Sequence, residues 1–219
     1  MIVVVGCTKG GTGKTTLSTN LTVLRAAEGK KVLLVDADEQ KSASIWANQR
    51  DSSGLTSSFT TIQLGGKAVY SQISKMKPDY DDIIIDVGGR ETRSLRAAIV
   101  VADVLVLPFR PGSYDIWTIT EIKGLLSEMI PANPNLQCIG VINQADPSGK
   151  ENEEALEILK QCEEIETYPM LVGYRKAFRF SATDGLGVGE MEVKDPKAIM
   201  EMQALYDFIY NKCTCNVSS

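Results

Sequence analysis

Two lysines, Lys9 and Lys14, stand in one glycine-rich stretch, "GCTKGGTGKTTLSTN", at residues 6–20. A loop that cradles phosphates needs one lysine just before a serine or threonine. The first turn of the following helix, the ammonium and a hydroxyl-bound Mg²⁺ then surround the same oxygens. Lys14 and Thr15 meet that requirement, with Gly10, Gly11, Thr12, Gly13 and Thr16 completing the cradle. The usual pattern asks for a further glycine where this chain has Thr8, so the stretch that carries Lys9 reads as a variant loop. Two carboxylate stretches accompany it: "LLVDADEQ" supplies Asp36 and Asp38, and "IIIDVGGR" supplies Asp86. A lone aspartate after a strand is usually a turn former or a helix cap. Three on one sheet edge beside a phosphate loop suit metal and water chemistry instead. Asp86 fits the Mg²⁺ shell, Gly88 and Gly89 free backbone N–H groups to approach a γ-phosphate, and Asp38 is the candidate to orient an attacking water.

These groups need strands that end together. Apolar runs at 2–5, 32–35, 83–85, 104–107 and 138–142 read as buried strands alternating with helix-period segments. That alternation predicts an α/β fold: a single-domain, mostly parallel sheet with helices on both faces. Leu17, Leu21 and Leu24 recur at helical spacing after Gly13, and Gly29 is a fitting stop. The glycine-rich loop is thereby predicted to join a strand to a helix, with its N–H groups at the strand's carboxyl edge. One domain is expected over residues 1–212, with a polar tail at 213–219.

Composition limits the remaining classes. The 219 residues are 43% hydrophobic and 23% charged, an ordinary globular balance. The longest apolar run, 97–107, is interrupted by Asp103 and is too short to cross a bilayer, so a cytoplasmic location is expected. There is no histidine for imidazole chemistry, and the five cysteines lack CxxC spacing. Cys213 and Cys215 alone are weak evidence for a soft metal or acylation. The net charge of -5 is uneven: residues 151–166 hold seven glutamates and one lysine, leaving the rest of the chain near neutrality. Overall acidity therefore does not exclude a nucleic-acid surface.

Taken together, "KGGTGKTT", "VDADEQ" followed by Trp46, "IIIDVGGRE…LRAAIVVADVLVLPFRPGSYDIW" and "VINQ" resemble the ParA/MinD group of deviant Walker-A ATPases. The "SYDIW" stretch is most similar to the plasmid and chromosome partition branch, and "DGLGVGEME" near residue 184 is a weaker echo. The resemblance implies a P-loop NTPase that uses ATP and Mg²⁺. Thr15, Asp38 and Asp86 would surround the metal, with Asp38 as the hydrolytic carboxylate and Asp86 as the Walker-B residue. Lys9 would reach across an ATP-dependent homodimer to the partner's nucleotide. Asn143 would read the adenine edge, and Pro108 would flank the base, although an asparagine after a strand is as often a turn residue. Glu39 replaces the family's usual proline, and "DVGGRE" is a crowded sequence after Asp86.

The resemblance further implies non-specific DNA binding by the ATP dimer, nucleoid association in that state, and a small centromere-binding ParB-like adaptor that stimulates hydrolysis. With Met1 directly on the first strand, no N-terminal helix-turn-helix is expected. In "GYRKAFRF", Arg175, Lys176 and Arg179 are candidate phosphate contacts; equally, they form a solvated face or pair with the glutamate-rich helix. Two other classes are weighed. A membrane-cycling MinD-like regulator would need a basic amphipathic end. Here Asp195 and Pro196 start a helix whose face of Ile199, Met202, Leu205 or Tyr206 and Ile209 carries only Lys197 and Lys212, so core packing is expected and no membrane partner. A small-molecule ligase resembling dethiobiotin synthetase would need more acid–base groups than a histidine-free chain displays.

Overall fold

The computed structural model describes residues 1–55, 58–89, 93–112, 116–147 and 149–215; for 116–118 and 212–215 the description is of the backbone alone. Residues 90–92 and 113–115, which carry part of "DVGGRE" and of "SYDIW", lie outside it, as do the side chains of Cys213 and Cys215.

Seven strands form one sheet: β1 (Ile2–Val5), β2 (Val32–Ala37), β3 (Phe59–Gln63), β4 (Asp82–Val87), β5 (Val104–Phe109), β6 (Gln137–Ala145) and β7 (Glu166–Gly173). Their order is β3-β2-β4-β1-β5-β6-β7, and every pairing is parallel. Parallel strands require crossovers, supplied here by α1 (Lys14–Ala27), α2 (Ser42–Ser52), α3 (Lys67–Met76), α4 (Arg93–Val101), α5 (Ile116–Met129) and α6 (Lys150–Lys160). After β7 come α7 (Lys176–Thr183) and α8 (Pro196–Cys215).

The period-two alternation of strand side chains builds two cores. Ile2, Val4, Ile83 and Ile85 face one layer with α3, α4, α5 and α6. Val3, Val5, Leu34 and Ile84 face the other with α1, α2, α7 and α8. By the same alternation Asp36 and Asp86 fall on the α1/α2 side, and register makes them neighbours: Val5 pairs with Asp86, and Asp86 with Asp36. Three strands thus end level, and the loop that follows β1 emerges beside both carboxylates.

Helix α1 starts directly after Gly13 and buries Leu17 and Leu21, each worth about 1.5–3 kcal/mol relative to exposure. It stops at Ala27, where Gly29 takes a φ of 76° and donates to the Ala26 carbonyl at 2.9 Å. Helix α8 starts as expected, with Asp195 Oδ1 accepting the Lys197 and Ala198 N–H groups at 3.1 Å. Its apolar face is consumed by the core, since Met202, Leu205, Tyr206 and Ile209 are buried. The helix continues through Cys215. Cys7, Cys138 and Cys162 are buried free thiols. No helix among the described residues is long and apolar enough to cross a membrane.

Candidate nucleotide site

The glycine-rich loop is anchored where β1 ends: Gly6 N–H donates to the Val106 carbonyl at 3.1 Å. Gly11 and Gly13 take φ values of 74° and 85°, in the left-handed region that glycine adopts without strain. This twist curls the loop back over the start of α1. Lys14 is buried, and its Nζ donates to the Lys9 carbonyl at 2.8 Å, fixing the ammonium inside the loop. Burial lowers its pKa, while the nearby Asp86 and Asp38 charges oppose that shift. Lys9 itself is half-exposed at the loop's outer turn.

Asp86 accepts the Thr15 hydroxyl at Oδ2 (2.7 Å) and the Ser18 hydroxyl at Oδ1 (3.0 Å). Burial pushes its carboxyl up to about 7 against those two hydrogen bonds. Asp36 is a positioning group. Its Oδ1 accepts Asp38 N–H at 3.2 Å and its Oδ2 accepts Ser44 N–H at 2.7 Å, so it pins the turn that carries Asp38 to the first turn of α2. Asp38 stands across from the strand-end glycines: a Cβ on Gly88 would lie 2.9 Å from Asp38 Oδ1. A Cβ on Gly89 would lie 2.5 Å from Gly10 Cα. Gly89 is therefore required by close approach to the phosphate loop's backbone, whereas at Gly88 the end of the Asp38 side chain could shift to make room.

Two amides at the end of β6 brace the loop from the opposite side. Asn143 Nδ2 donates to the Thr12 carbonyl at 2.7 Å, and Gln144 Nε2 donates to the Gly11 carbonyl at 3.0 Å. A Cβ at Gly13 would sit 2.3 Å from Asn143 Nδ2. The sequence marked Asn143 for an adenine edge; in the structure its amide nitrogen is engaged with the loop backbone. Gln144 carried no sequence signal beyond following Asn143. Its φ of 57° is what turns its amide inward.

Beside this brace lies a cavity of about 490 Å³ bordered by Gly13, Thr16, Asn143, Tyr174, Phe178 and Arg179. Pro108 is not among its lining residues; it lies within β5, opposite Val141. "GYRKAFRF" thus sits at the same sheet edge as the phosphate loop. The three cations of that stretch differ. Arg175 is bound through two nitrogens to Glu201 of α8, with Nε to Oε2 at 2.8 Å. That partner lies on α8 and not on the glutamate-rich α6. Lys176 and Arg179 are exposed, and the Arg179 guanidinium stands 5.2 Å from the Phe180 ring centroid.

The residues present fit a magnesium nucleotide. Thr8 and Thr12 Oγ1 are buried in the loop without hydrogen-bond partners among the described residues, and the hydroxyl and carboxylate donors at Thr15, Asp86 and Asp38 are the hard oxygens that Mg²⁺ selects. Among the described residues no cluster of three or more His, Cys, Asp or Glu could hold a metal alone, so the ion would be shared with phosphate oxygens.

Comparison with known proteins places this geometry. The family model of the CobQ/CobB/MinD/ParA nucleotide binding domain matches residues 2–188. A maintenance of carboxysome distribution protein A from Gloeobacter kilaueensis is 29% identical over 192 residues, covering 86% of this chain and 84% of that protein. The protein ParA of Rhizobium radiobacter is 30% identical over 128 residues, 58% of this chain and 56% of the relative. Among solved structures, an ATP complex of a Cyanothece McdA variant superposes with a TM-score of 0.77 at 17% identity, covering 93% of this chain and 95% of that one.

Proposed function

Given that the chain belongs to the CobQ/CobB/MinD/ParA family of nucleotide-binding domains, we propose that it is a slow ATPase whose ATP-bound homodimer positions a cargo on non-specific DNA. The carrying observation is the convergence of Lys14, Thr15, Asp86 and Asp38 on one level of the sheet. Relatives named for carboxysome distribution and for chromosome partitioning support a positioning role. DNA is the favoured matrix because Arg179 is exposed beside the nucleotide cavity and Lys176 is exposed in the same stretch. A small ParB-like adaptor is the expected stimulator. A membrane-cycling reading loses its main support, since the apolar face of α8 is buried.

Backbone N–H groups of residues 10–16 and the Lys14 ammonium would hold the β- and γ-phosphates. Thr15 and Asp86 would hold Mg²⁺, which offsets charge on those oxygens. Asp38, fixed through Asp36, orients the attacking water and accepts a hydrogen bond from it at a carboxylate oxygen. Lys9 supplies a second cation across the dimer, where two facing nucleotides bring together two sets of negative charge. The base would take the cavity beside Asn143 and Phe178.

Fluorescent-ATP titration, phosphate release and light scattering test this reading. Lys14→Ala should abolish triphosphate binding. Asp38→Ala should bind ATP and dimerise but turn over at least about tenfold more slowly, and wild-type basal turnover should lie well below the roughly 10 per second of a median enzyme. Adding Lys9→Ala to the Asp38 variant should remove the dimer. A nucleotide shifts a dimer equilibrium only by its differential affinity, so ADP should do much less. Wild-type turnover by Asp38→Ala, or an equally stable dimer without nucleotide, would sink the proposal.

A further inference from the structure

A second cavity, of about 980 Å³, lies at the opposite edge of the sheet, where β6 and β7 begin at Gln137 and Glu166 and the C-terminal half of α8 crosses them. Asn143 and Gly173, which border the nucleotide cavity, are at the other ends of the same strands. Four carboxylates line the far groove, those of Glu163, Glu164, Glu166 and Asp207, and among the described residues no lysine or arginine does. Lys123 approaches Glu164 only to 3.9 Å, with both side chains well exposed, a pairing that contributes little. The groove is therefore a concentrated negative site in a chain that is near neutral elsewhere.

Its walls are apolar and aromatic. Pro169, Met170 and Phe208 line it, and Tyr168 stands edge-on to Phe208 with ring centroids 5.1 Å apart. Tyr168 is only 1% exposed, yet its hydroxyl has no hydrogen-bond partner among the described residues. A buried hydroxyl left unsatisfied is costly unless a ligand pairs with it. Burial, then the Glu201 and Asp207 charges, push its pKa to about 12, so it stays a neutral phenol able to accept a hydrogen bond.

What fits is decided by β7 itself. It is the last strand of the sheet, but Pro169 removes one N–H from its course and so opposes addition of another strand. Side chains, not a backbone ladder, must make the contact. A guanidinium satisfies every feature: it pairs with carboxylates through a planar fork, lies against aromatic rings, donates to a hydroxyl, and lays its alkyl stem on apolar surface. We propose that this groove docks an arginine-bearing basic segment of a partner protein, an inference that does not depend on the nucleotide chemistry.

The test is fluorescence anisotropy of a labelled arginine–alanine peptide with the full chain, at about 0.15 M salt, where surface attraction is screened over about 8 Å. Glutamate–alanine and lysine–alanine peptides serve as comparisons. The arginine peptide should bind, the lysine peptide several-fold more weakly, and the glutamate peptide not at all. The combined variant Glu163→Gln, Glu166→Gln, Asp207→Asn should weaken binding at least about tenfold. Glu153→Gln, Glu154→Gln, Glu157→Gln removes the same charge from the exposed side of α6 and should leave binding within about twofold. Tyr168→Phe keeps the ring packing and should weaken the arginine peptide several-fold without lowering the melting temperature. Equal losses in the two charge variants would show attraction to the acidic chain at large and overturn the groove. Absence of arginine-peptide binding would do the same, and equal affinity for the lysine peptide would overturn the guanidinium assignment.

Discussion

Asp86 holds its position by two hydroxyls, yet burial makes its charge expensive and raises its pKa to about 7. The sign of the consequence follows from linkage. A carboxyl with a folded-state pKa above the unfolded 3.8 holds its proton more tightly in the native protein. Its contribution to stability is complete below the unfolded value and is lost as pH climbs through about 7. In chelator and without nucleotide, the melting temperature should therefore fall between about pH 4 and about pH 7, and Asp86→Asn should flatten that fall. An unchanged slope in the variant would assign the titration to another group. Binding of a magnesium nucleotide should tighten over the same window, because a cation beside the carboxyl favours its charged form. At this scale the sequence marked Lys14, Thr15, Asp38 and Asp86, because each is tied to a local signal, a glycine loop or a strand end. It did not mark Gln144 or the bracing role of Asn143, which exist only because the end of β6 arrives beside β1's loop.

Helix α2 is the element that connects the Asp38 turn to the rest of the molecule. Asp36 fixes its N-terminal turn, and Arg50 fixes its far end, with NH1 and NH2 each 2.7 Å from a Glu190 oxygen and NH1 3.1 Å from the Gly185 carbonyl. The guanidinium also lies 5.6 Å from the ring centroid of Phe59, which stacks on Trp46. Gly185 has a φ of 71°, and a Cβ there would come within 2.4 Å of Arg50 N. The "DGLGVGE" echo is therefore a clasp on α2. Glu190→Ala should cost about 2 kcal/mol in urea denaturation, since it strands a buried guanidinium. Arg50→Lys should recover little, because an ammonium cannot span both oxygens. A loss under about 0.5 kcal/mol would mean that the pair behaves as a solvated one.

For the whole molecule, the arrangement of cations relative to the nucleotide edge decides how DNA would be held. Arg179 is exposed there and Lys176 in the same stretch, whereas Arg175 neutralises Glu201, itself buried and accepting Gly173 N–H at 3.0 Å. If the ATP dimer binds duplex, dimerisation doubles the contacts, and affinity should fall by roughly 0.9 log unit per log unit of salt for each phosphate contacted. Replacing Lys176 and Arg179 by alanine should lower that slope in gel-shift titrations and leave dimerisation intact. Arg175→Ala should act differently, lowering stability by leaving the Glu201 charge unpaired. Loss of the salt slope through Arg175 alone, at unchanged stability, would reverse these roles.

The sequence by itself determined the layered class of the fold and the placing of the glycine loop and carboxylates at strand ends, because both rest on local patterns: continuous apolar runs for strands buried on both faces, and fixed spacing around glycines. It supplied β1, β2, β4, β5 and β6 in this way. It did not reveal β3 or β7, edge strands whose half-exposed residues break the apolar run and leave no periodic signature. Tertiary structure alone decided the rest. Register made Val5, Asp86 and Asp36 level. The crossing of α8 over β7 turned Arg175 from a surface cation into one half of an ion pair and left a carboxylate-lined groove at the opposite edge. The physical reason is range: loop geometry and strand burial are written within a few consecutive residues, whereas the partner of a charge is fixed only when distant segments pack together.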